Sequence, residues 1–420
     1  MAKLRKLGSV SVATETNFGD PTGLSYTALQ VAEPVDLNGL NYEAIPHDFV
    51  RASIYRNARI LGARTGTITI KSHLYGLKSS VPSAASDYTS ANDMPLFNLI
   101  AACMGNGVQG GYESSESSST TSSLAATGIA TSMASPGEGG AVAWQTTDYG
   151  YQVGWIKDLD TDAAALFQTA IAVPTGSKIY GSKTAFTTDA YDYFGSGGGD
   201  PKAFSIKIAG HDSSDVIRCN GCRPYNLRIT GEAGQPVSVE IDIWVSHWEE
   251  LGSGGAPSPV VYTNPDPEPL LNAWLAVGDD VSYANLLTVN GFSLDLNMTS
   301  VQVGDINQTS GVGSYVVTDR NPQLTVTVDR NYGEQPADFR NQTEKKLSFF
   351  FGTQPGKMFA MCMPACRVVE FPGYGDTEGR LTTDVIYEAH YYAGDTGSGD
   401  GGSAASTSNA INKMFKIAFL

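Results

Sequence analysis

Strict alternation of apolar and polar residues is the clearest pattern in the chain. In the stretch VSVEIDIWV, one face carries the aliphatic residues Val237, Val239, Ile241, Ile243 and Val245. The opposite face carries Ser238, Glu240, Asp242 and Trp244. A period of two is typical of a β-strand with one buried face. Further alternating or β-branched runs occur at 67–71, 203–210, 226–230, 292–329, 347–352 and 381–392. The pattern therefore predicts a mainly β protein.

Two short segments with a helical pattern interrupt the strands. The first helix is predicted over 94–104, with Asp93 as N-cap and Gly105 as the terminating glycine. Its apolar stripe consists of Leu96, Leu99, Ile100 and Cys103. The second helix is predicted over 335–346, with Pro336 in its first turn.

Changes in composition and periodicity divide the chain into further segments. Between about 107 and 200, runs such as SSESSSTTSS and FGSGGGD have no clear period, which we interpret as a long surface insertion with hairpins of its own. Residues 251–280 contain Gly/Pro-rich runs and are interpreted as a linker. The chain closes with NKMFKIAFL at 412–420, whose apolar residues predict a strand that adds to a sheet.

An internal repeat relates the two halves at a constant offset of 144 residues. The matched positions are Cys222-Arg223 with Cys366-Arg367, Gly231 with Gly375, Glu240 with Asp384, Ile241 with Val385 and Ile243 with Tyr387. The alternation stays in phase, which matters because a slip of one residue would exchange the two strand faces. The sequence thus predicts one β module over 1–250, the linker at 251–280 and a second module over 281–420.

The spacing of the cysteines raises the question of a metal site or a redox-active pair. Cys219 and Cys222 form a C-x-x-C, and Cys362 and Cys366 are interpreted as the second copy of the same position. A zinc site would need both pairs together, whereas equivalent positions of neighbouring modules should lie far apart. We therefore favour small buried apolar side chains, with a metal site and a disulfide as open alternatives.

The net charge and the sequence motifs restrict the classes of function that the chain fits. The chain has 27 Lys and Arg against 43 Asp and Glu, a net charge of −16, so tight nucleic-acid binding is disfavoured. No apolar run approaches the roughly 20 residues of a membrane span, and the basic N-terminus lacks the apolar core of a secretory signal. Five histidines occur outside any H-E-x-x-H or G-x-S-x-G context. We expect no enzymatic activity, cofactor or metal.

Four acids stand on the polar faces of the repeated strands: Glu240, Asp242, Asp384 and Glu388. A pair of glycosidase acids would need a cleft that raises the pKa of one carboxyl group. The sequence has no such feature, so a solvated sheet face is the better interpretation.

Several stretches together resemble the major tail tube proteins of tailed bacteriophages. They are MAKLRKLGSVSVATETNFGDPTG, HDFVRASIYRNARILGARTGTITI, PLFNLIAACMG, GCRPYNLRITGEAGQPVSVEIDIW and FSLDLNMTSVQVGDINQTSGVGSYVVTDRNPQLTVTV. The resemblance covers about two-thirds of the chain and leaves out 107–200 and the Gly/Ser-rich tail. It implies β-sandwich-like modules, each with a flanking helix, that form rings around a channel.

Further expectations follow from the resemblance. A chain with two tail-tube modules implies rings of three chains with pseudo-sixfold symmetry, stacked into a tube inside the virion tail. Other tail proteins are expected partners, and genomic DNA would pass through without specific binding. Assembly would take place in the cytoplasm of the bacterial host. Glu240, Asp242, Asp384 and Glu388 are then the candidate lumen-facing acids.

Three alternatives stay open at this point. The first is another phage structural protein, such as a tail terminator, a baseplate hub or a capsid decoration protein. The second is a secreted adhesin or carbohydrate-binding module, which the Ser/Thr-rich stretches fit but the missing signal sequence disfavours. The third is an acidic hydrolase, which lacks a nucleophile-and-base arrangement.

Overall fold

A computed structural model supplies the fold for the following part of the chain. It describes residues 9–45, 60–75, 96–109, 113–115, 118–119, 123–125, 140–147, 150–159, 163–166, 173–174, 177–181, 184–188, 203–210, 215–252, 267, 269–278, 285–308, 310–329, 334–371, 373–377, 379–391 and 414–420. Within these residues the protein is mainly β, as the alternation predicts.

The N-terminal half contains strands of very different lengths and one helix. Before residue 110 these are β1 (Ser9–Thr14), β2 (Thr27–Leu29), β3 (Leu40–Ile45), β4 (Ile60–His73), α1 (Phe97–Met104) and β5 (Gly105–Gln109). The next group is β6 (Glu113–Ser115), β7 (Ser118–Ser119), β8 (Ser123–Ala125), β9 (Ala141–Thr146), β10 (Gly150–Leu159), β11 (Ala163–Leu166) and β12 (Lys178–Gly181). The half ends with β13 (Thr184–Thr188), β14 (Phe204–Ala209), β15 (Val216–Glu232), β16 (Ser238–Val245) and β17 (His247–Glu250).

The C-terminal half has the second helix and the remaining strands. They are β18 (Trp274–Gly278), β19 (Asn285–Asp295), β20 (Met298–Gly304), β21 (Val312–Arg320), β22 (Gln323–Asp329), α2 (Glu334–Asn341), β23 (Lys345–Phe351), β24 (Phe359–Val368), β25 (Gly375–Thr377), β26 (Arg380–Ala389) and β27 (Lys416–Phe419).

One antiparallel sheet runs through both halves in the order β3, β4, β16, β15, β19, β22, β26. β15 is long enough to pair with two groups of strands. Its first part pairs with β14 and β17, and its second part pairs with β16 and β19. A single apolar core follows the sheet from end to end.

The buried face of β16 matches its sequence pattern. All five aliphatic residues from Val237 to Val245 are fully buried in the main core, so this prediction is confirmed. Helix α1 packs beside them with the predicted stripe, since Leu99, Ile100 and Cys103 are fully buried. The helix begins at Phe97, and the predicted cap Asp93 lies outside the described residues. Gly105 ends it with φ +102°, a conformation that favours glycine.

The second helix is shorter than predicted. It ends at Asn341, and Gln342 then adopts φ +51°. The predicted range 335–346 was wrong at its C-terminal end, because Lys345–Phe351 forms β23. β23 has the sequence KKLSFFF and is buried on both faces. A strand buried on both faces lacks the alternation of apolar and polar residues, so no period of two marks where it starts.

A separate seven-stranded sheet occupies part of the stretch 107–200, in the order β6, β12, β9, β10, β11, β8, β7. The expected hairpins occur, for example between β9 and β10. The sheet also has a buried side, since Trp144, Trp155 and Ile179 are fully buried. The Trp155 indole N–H donates to Ser348 Oγ at 3.0 Å, which ties this sheet to β23.

The segment 251–280 is more than a linker. It contains β18, which pairs with β19 and β23. Just before it, Leu270 forms a bridge with Ala233, and Pro269 forms one with Pro236. These contacts join the start of the C-terminal half to the turn between β15 and β16.

The C-terminal strand is confirmed. β27 pairs with β13 on one side and β24 on the other. Phe415, Ile417, Phe419 and Leu420 are almost fully buried. The last residues therefore close the sheet that connects the two halves of the chain.

We expect Phe419→Ala to lower the free energy of unfolding by about 3–5 kcal/mol, because it removes a buried aromatic ring from a packed site. The matched control is Ile306→Ala, whose side chain is 99% exposed, with an expected change within about 0.5 kcal/mol. Urea denaturation followed by tryptophan fluorescence measures both. Equal midpoints for the two variants would contradict the packing of β27.

Candidate functional site

Two hairpins of the long sheet share one strand register. The paired residues are Arg223 opposite Trp244 and Pro224 opposite Ile243 in the first, and Arg367 opposite Glu388 and Val368 opposite Tyr387 in the second. Each residue of the second hairpin follows its counterpart by 144 positions, the offset of the sequence repeat. At these positions the similarity found in the sequence corresponds to the same strand pairing. The predicted match of Gly231 with Gly375 was wrong by one residue, because Gly375 lies opposite Thr382 whereas Thr230 lies opposite Ser238.

The correspondence extends to a register shift in the neighbouring ladder. Between β14 and β15 the register shifts after Phe204 opposite Cys222 and before Ile206 opposite Cys219. Between β23 and β24 it shifts after Lys345 opposite Cys366 and before Leu347 opposite Met363. Bulges are specific features of a fold, so a shared bulge position is a strong structural match.

This register corrects one part of the cysteine interpretation. Cys222 corresponds to Cys366, as predicted, but Cys219 corresponds to Met363 and not to Cys362. Cys362 faces the other side of its strand, where it joins the core of the seven-stranded sheet. The spacing of three residues in one pair and four in the other gave the only sequence signal of this difference.

The strands beyond β16 and β26 also correspond. β4 places Lys71 opposite Glu240 and Thr67 opposite Trp244. β22 places Thr327 opposite Asp384 and Gln323 opposite Glu388. Each set also has a helix between its first and second strand in chain order. We call β4, β14, β15 and β16 the first strand set, and β22, β23, β24 and β26 the second strand set.

The four candidate acids lie on the sheet face opposite the main core. Asp384 is exposed, Glu240 and Glu388 are half-buried, and Asp242 is 8% exposed. The structure brings Glu240 and Asp242 together on β16. Asp384 and Glu388 lie on β26, which is separated from β16 by β15, β19 and β22.

The two acids on β16 share cations that the sequence analysis missed. Arg228 Nη2 lies 2.5 Å from Asp242 Oδ2 and 3.8 Å from Glu240 Oε2. Lys71 Nζ lies 3.0 Å from Glu240 Oε1, and this hydrogen bond raises the pKa of the Lys71 ammonium group. Thr69 Oγ1 donates to Asp242 Oδ1 at 2.7 Å. Alternation along β4 and β15 would have placed both cations on this face.

The two acids on β26 have neutral donors instead. Asn321 Nδ2 and Gln323 Nε2 each donate to Glu388 Oε2 at 2.9 Å, and Thr327 Oγ1 donates to Asp384 Oδ1 at 2.6 Å. Within the described part of the chain, neither carboxylate forms a salt bridge. On this face, Asp384 and Glu388 therefore have neutral hydrogen-bond donors where Glu240 and Asp242 have cations.

A shallow depression of about 460 Å³ lies on the same polar face, where β15, β19 and β22 meet. Hydroxyl groups of Thr230, Ser238, Ser293 and Thr325 line it, together with Asp384. Small side chains at this junction leave the depression between the two groups of acids.

All five cysteines are buried and carry free thiols. Burial raises the pKa of the Cys103 and Cys219 thiols to about 12, and it raises the pKa values of Cys222 and Cys366 as well. These thiols stay protonated near neutral pH, whereas the thiolate is the form that binds metals or attacks disulfides. Among the described residues, no cluster of three or more His, Cys, Asp or Glu could hold a metal ion.

The hairpin β20–β21 reaches from the second half onto the first. Tyr315 stacks on Trp244 with ring centroids 5.4 Å apart, and the Trp244 indole N–H donates to Ser300 Oγ at 2.6 Å. The buried Arg223 guanidinium donates to the Tyr315 carbonyl at 2.8 Å. The tip of the hairpin carries the fully exposed Ile306. The hairpin thus fixes the two strand sets against each other and presents an apolar tip.

No protein-family model and no curated protein matches the chain. Among the described residues, no helix combines the length and the apolar character that crossing a membrane requires. The function is therefore inferred from the strand registers and the polar face of the sheet.

We expect Arg228→Ala to lower the free energy of unfolding by about 1–3 kcal/mol, because it leaves the mostly buried Asp242 carboxylate without its cation. Lys71→Ala is the control, since its ammonium group belongs to a more exposed pair and its loss should cost less than about 1 kcal/mol. Urea denaturation of both variants at neutral pH gives the comparison. Equal losses, or a larger loss for Lys71→Ala, would contradict the assigned role of Arg228.

Proposed function

We propose that this chain is a structural virion protein, the major tail tube protein of a tailed bacteriophage. The observation that carries the proposal is the repeated register of the two strand sets, including the shared bulge. A chain that contains one structural unit twice is suited to an assembly in which the unit recurs by rotation. The sequence resemblance to tail tube proteins points to the same kind of assembly.

The internal junction supports a ring. β15 and β19 pair directly, so one continuous sheet passes from the first strand set to the second. Repeating this step with further chains would extend the sheet until it closes, and closure removes the open edges that otherwise promote aggregation. Three chains would supply six strand sets and give a ring with pseudo-sixfold symmetry.

The polar face is proposed to line the channel. The apolar face is occupied by the core, so the face with Glu240, Asp242, Asp384 and Glu388 is the one available to a lumen. A chain with net charge −16 would repel DNA phosphates rather than hold them. Arg228 and Lys71 reduce the negative charge at β16, so Asp384 and Glu388 are the stronger candidates for setting the potential of the wall.

The domain organisation follows from the same correspondence. We infer two tandem tail-tube modules, in which β18 begins the second module and the stretch 107–200 is inserted into the first. The seven-stranded sheet of this insertion packs on the β23, β24 and β27 side through Phe350 and Met358. We place it on the exterior of the tube, where it leaves the channel clear.

The proposal assigns a purely structural role, with no catalytic residue and no cofactor. The partners are further copies of this chain and other tail proteins, and the genome passes through the channel without specific binding. The protein would assemble in the host cytoplasm and function in the virion tail.

Electron microscopy of the purified protein at high concentration tests the proposed function. The expected result is hollow tubes built from rings of three chains with near-sixfold symmetry. Isolated rings that never stack would favour another ring-forming tail component, such as a tail terminator. Particles with six whole chains per ring, or monomers under all conditions, would contradict the proposal.

We expect Asp384→Lys to slow DNA ejection from virions at low salt, because a cation on the channel wall would attract phosphates. The effect should fade at high salt, since the screening length falls from about 8 Å at physiological ionic strength to about 3 Å at 1 M. The control is Asp319→Lys, the same charge reversal at an exposed position on the β20–β21 hairpin. Ejection kinetics at two salt concentrations supply the measurement. Unchanged kinetics for Asp384→Lys at low salt would exclude this residue from the wall.

A further inference from the structure

We propose that the hairpin of β3 and the first part of β4 packs on the end of β26 in a second copy of this chain. It would do so in the way that the β20–β21 hairpin packs on the end of β16 within the chain. The inference rests on the proposed ring and adds which side-chain surfaces meet between neighbouring copies. We call residues 40–66 the first arm and residues 296–322 the second arm; within the first arm, 46–59 lie outside the described residues.

The two arms share one strand register at an offset of 256 residues, the distance from Tyr42 to Met298. The paired residues are Tyr42–Arg64, Ala44–Leu61 and Ile45–Ile60 in the first arm, and Met298–Arg320, Ser300–Val317 and Val301–Val316 in the second. In both arms the register shifts between the first and the second of these pairs. Bulges are specific features of a fold, so the arms are copies of one structural element.

The same offset continues into the strands that follow the arms. Thr67 of β4 lies opposite Trp244, and Gln323 of β22 lies opposite Glu388. Gln323 follows Thr67 by 256 positions. Each arm is therefore attached in the same way to its own strand set.

Within the chain, the second arm packs on the first strand set. Tyr315 stacks on Trp244, and the Trp244 indole N–H donates to Ser300 Oγ at 2.6 Å. The Arg223 guanidinium donates to the Tyr315 carbonyl at 2.8 Å. Met298 of the same arm is buried in the main core. Arg223 and Trp244 thus form a docking site for an arm.

The counterparts of both sides of this contact are exposed. Arg367 corresponds to Arg223, and its side chain is 43% exposed whereas Arg223 is buried. Tyr42 corresponds to Met298, and it is 38% exposed whereas Met298 is buried. A contact that is made once inside the chain therefore has a second arm surface and a second docking site that stay accessible.

The two accessible surfaces lie in different parts of the sheet. β4 and β26 are separated by β16, β15, β19 and β22. Five strand steps correspond to about 24 Å at about 4.8 Å per step. The occupant of the docking site on β26 is therefore the first arm of a second copy. A heterologous contact of this kind produces a closed ring or an open filament.

Charge complementarity supports the first arm as the occupant. Residues 40–66 contain four Arg against one Glu and one Asp, a net charge of +2 with histidine neutral, in a chain whose net charge is −16. The docking site contains Glu388 beside Arg367, whose guanidinium is paired with the 53% exposed Glu344 at 3.6 Å. Residues 296–322 contain two Asp against one Arg, a net charge of −1, so the second arm matches this acidic site less well.

The contact would give the two acids of β26 different roles. Glu388 takes the place of Trp244, so the first arm of the neighbouring copy would cover it. Asp384 lies four residues earlier on the same face and would stay on the channel wall. The docking site and the wall would thus be adjacent but separate.

Crosslinking between engineered cysteines tests the contact. Ala44 corresponds to Ser300 and Glu388 to Trp244, and the side chains of Ser300 and Trp244 are hydrogen-bonded. In assembled protein, a short bis-maleimide should therefore join chains that carry both Ala44→Cys and Glu388→Cys into a covalent trimer. Each single variant alone should stay monomeric on a denaturing gel, and a mixture of the two should give dimers only. The five native thiols are buried and provide a low background.

The matched control combines Glu388→Cys with Ile306→Cys, at the fully exposed tip of the second arm. This pair should give no covalent trimer, because the second arm occupies the docking site of its own chain. Crosslinking of the control pair as efficient as that of Ala44→Cys with Glu388→Cys would overturn the inference.

The outcomes separate the inference from the proposed function. Tubes in the microscope without crosslinked chains would overturn the inference and leave the tail-tube proposal standing. Crosslinked trimers that never stack would support the inference and contradict the tube. Crosslinking of Glu388→Cys to itself would show a twofold contact and overturn the head-to-tail arrangement.

A charge reversal tests the docking site without crosslinking. Glu388→Arg should weaken assembly by more than about tenfold, because it places a cation against the basic first arm. Glu250→Arg is the matched control, the same reversal at an exposed position of β17. Sedimentation velocity measures assembly, and thermal unfolding checks that both monomers stay folded. Equal assembly of the two folded variants would overturn the docking site.

A substitution on the arm tests the same contact from the other side, and it decides the question if Glu388→Arg does not fold. Tyr42→Asp should also weaken assembly by more than about tenfold, because it brings a carboxylate towards the acidic site. Val301→Asp is the control, since Val301 is 52% exposed on the second arm. Assembly of folded Tyr42→Asp equal to that of Val301→Asp would overturn the inference.

Discussion

The backbone ladder between β15 and β19 is the interaction on which the rest of the structure depends. It joins the two halves of the chain by main-chain hydrogen bonds, which do not require particular side chains, so the same step can recur elsewhere. It also holds Phe292 against the edge of the first strand set and seals the core there. The same main-chain step between chains would extend the sheet, and this is the physical reason to expect further copies.

The two faces of the sheet have separate roles because the side-chain period is two. The apolar face supplies one continuous core under both strand sets. The polar face is therefore free to carry charge without a cost in packing. It does so unevenly, since Arg228 and Lys71 balance the acids of β16 while Asp384 and Glu388 rely on neutral hydrogen-bond donors. A channel wall built from this face would alternate between stronger and weaker negative potential.

Local patterns predicted much of this architecture, because alternation and phase are local properties. The aliphatic face from Val237 to Val245 and the register of its hairpin repeat both follow from a period of two. Contacts between distant segments could not be predicted in this way. Nothing in the sequence indicates that Trp155 hydrogen-bonds to Ser348, or that Arg228 and Lys71 meet Glu240, because strand order is set by tertiary pairing. Only the first two residues of β23, Lys345 and Lys346, were assigned to the helix, since no period of two marks the start of this strand.

The central claim is that the β15–β19 ladder joins the two strand sets of one chain into one continuous sheet and seals the core at that junction. Hydrogen–deuterium exchange of backbone amides tests this most directly, by comparing peptide 228–232 in that ladder with peptide 301–304 in the exposed part of β20. Amides in 228–232 should exchange slowly, because they lie within the β15–β19 junction. Amides in 301–304 should exchange faster, because this part of β20 is exposed and, among the described strands, pairs with β21 alone. Exchange of 228–232 as fast as that of 301–304 would contradict the account.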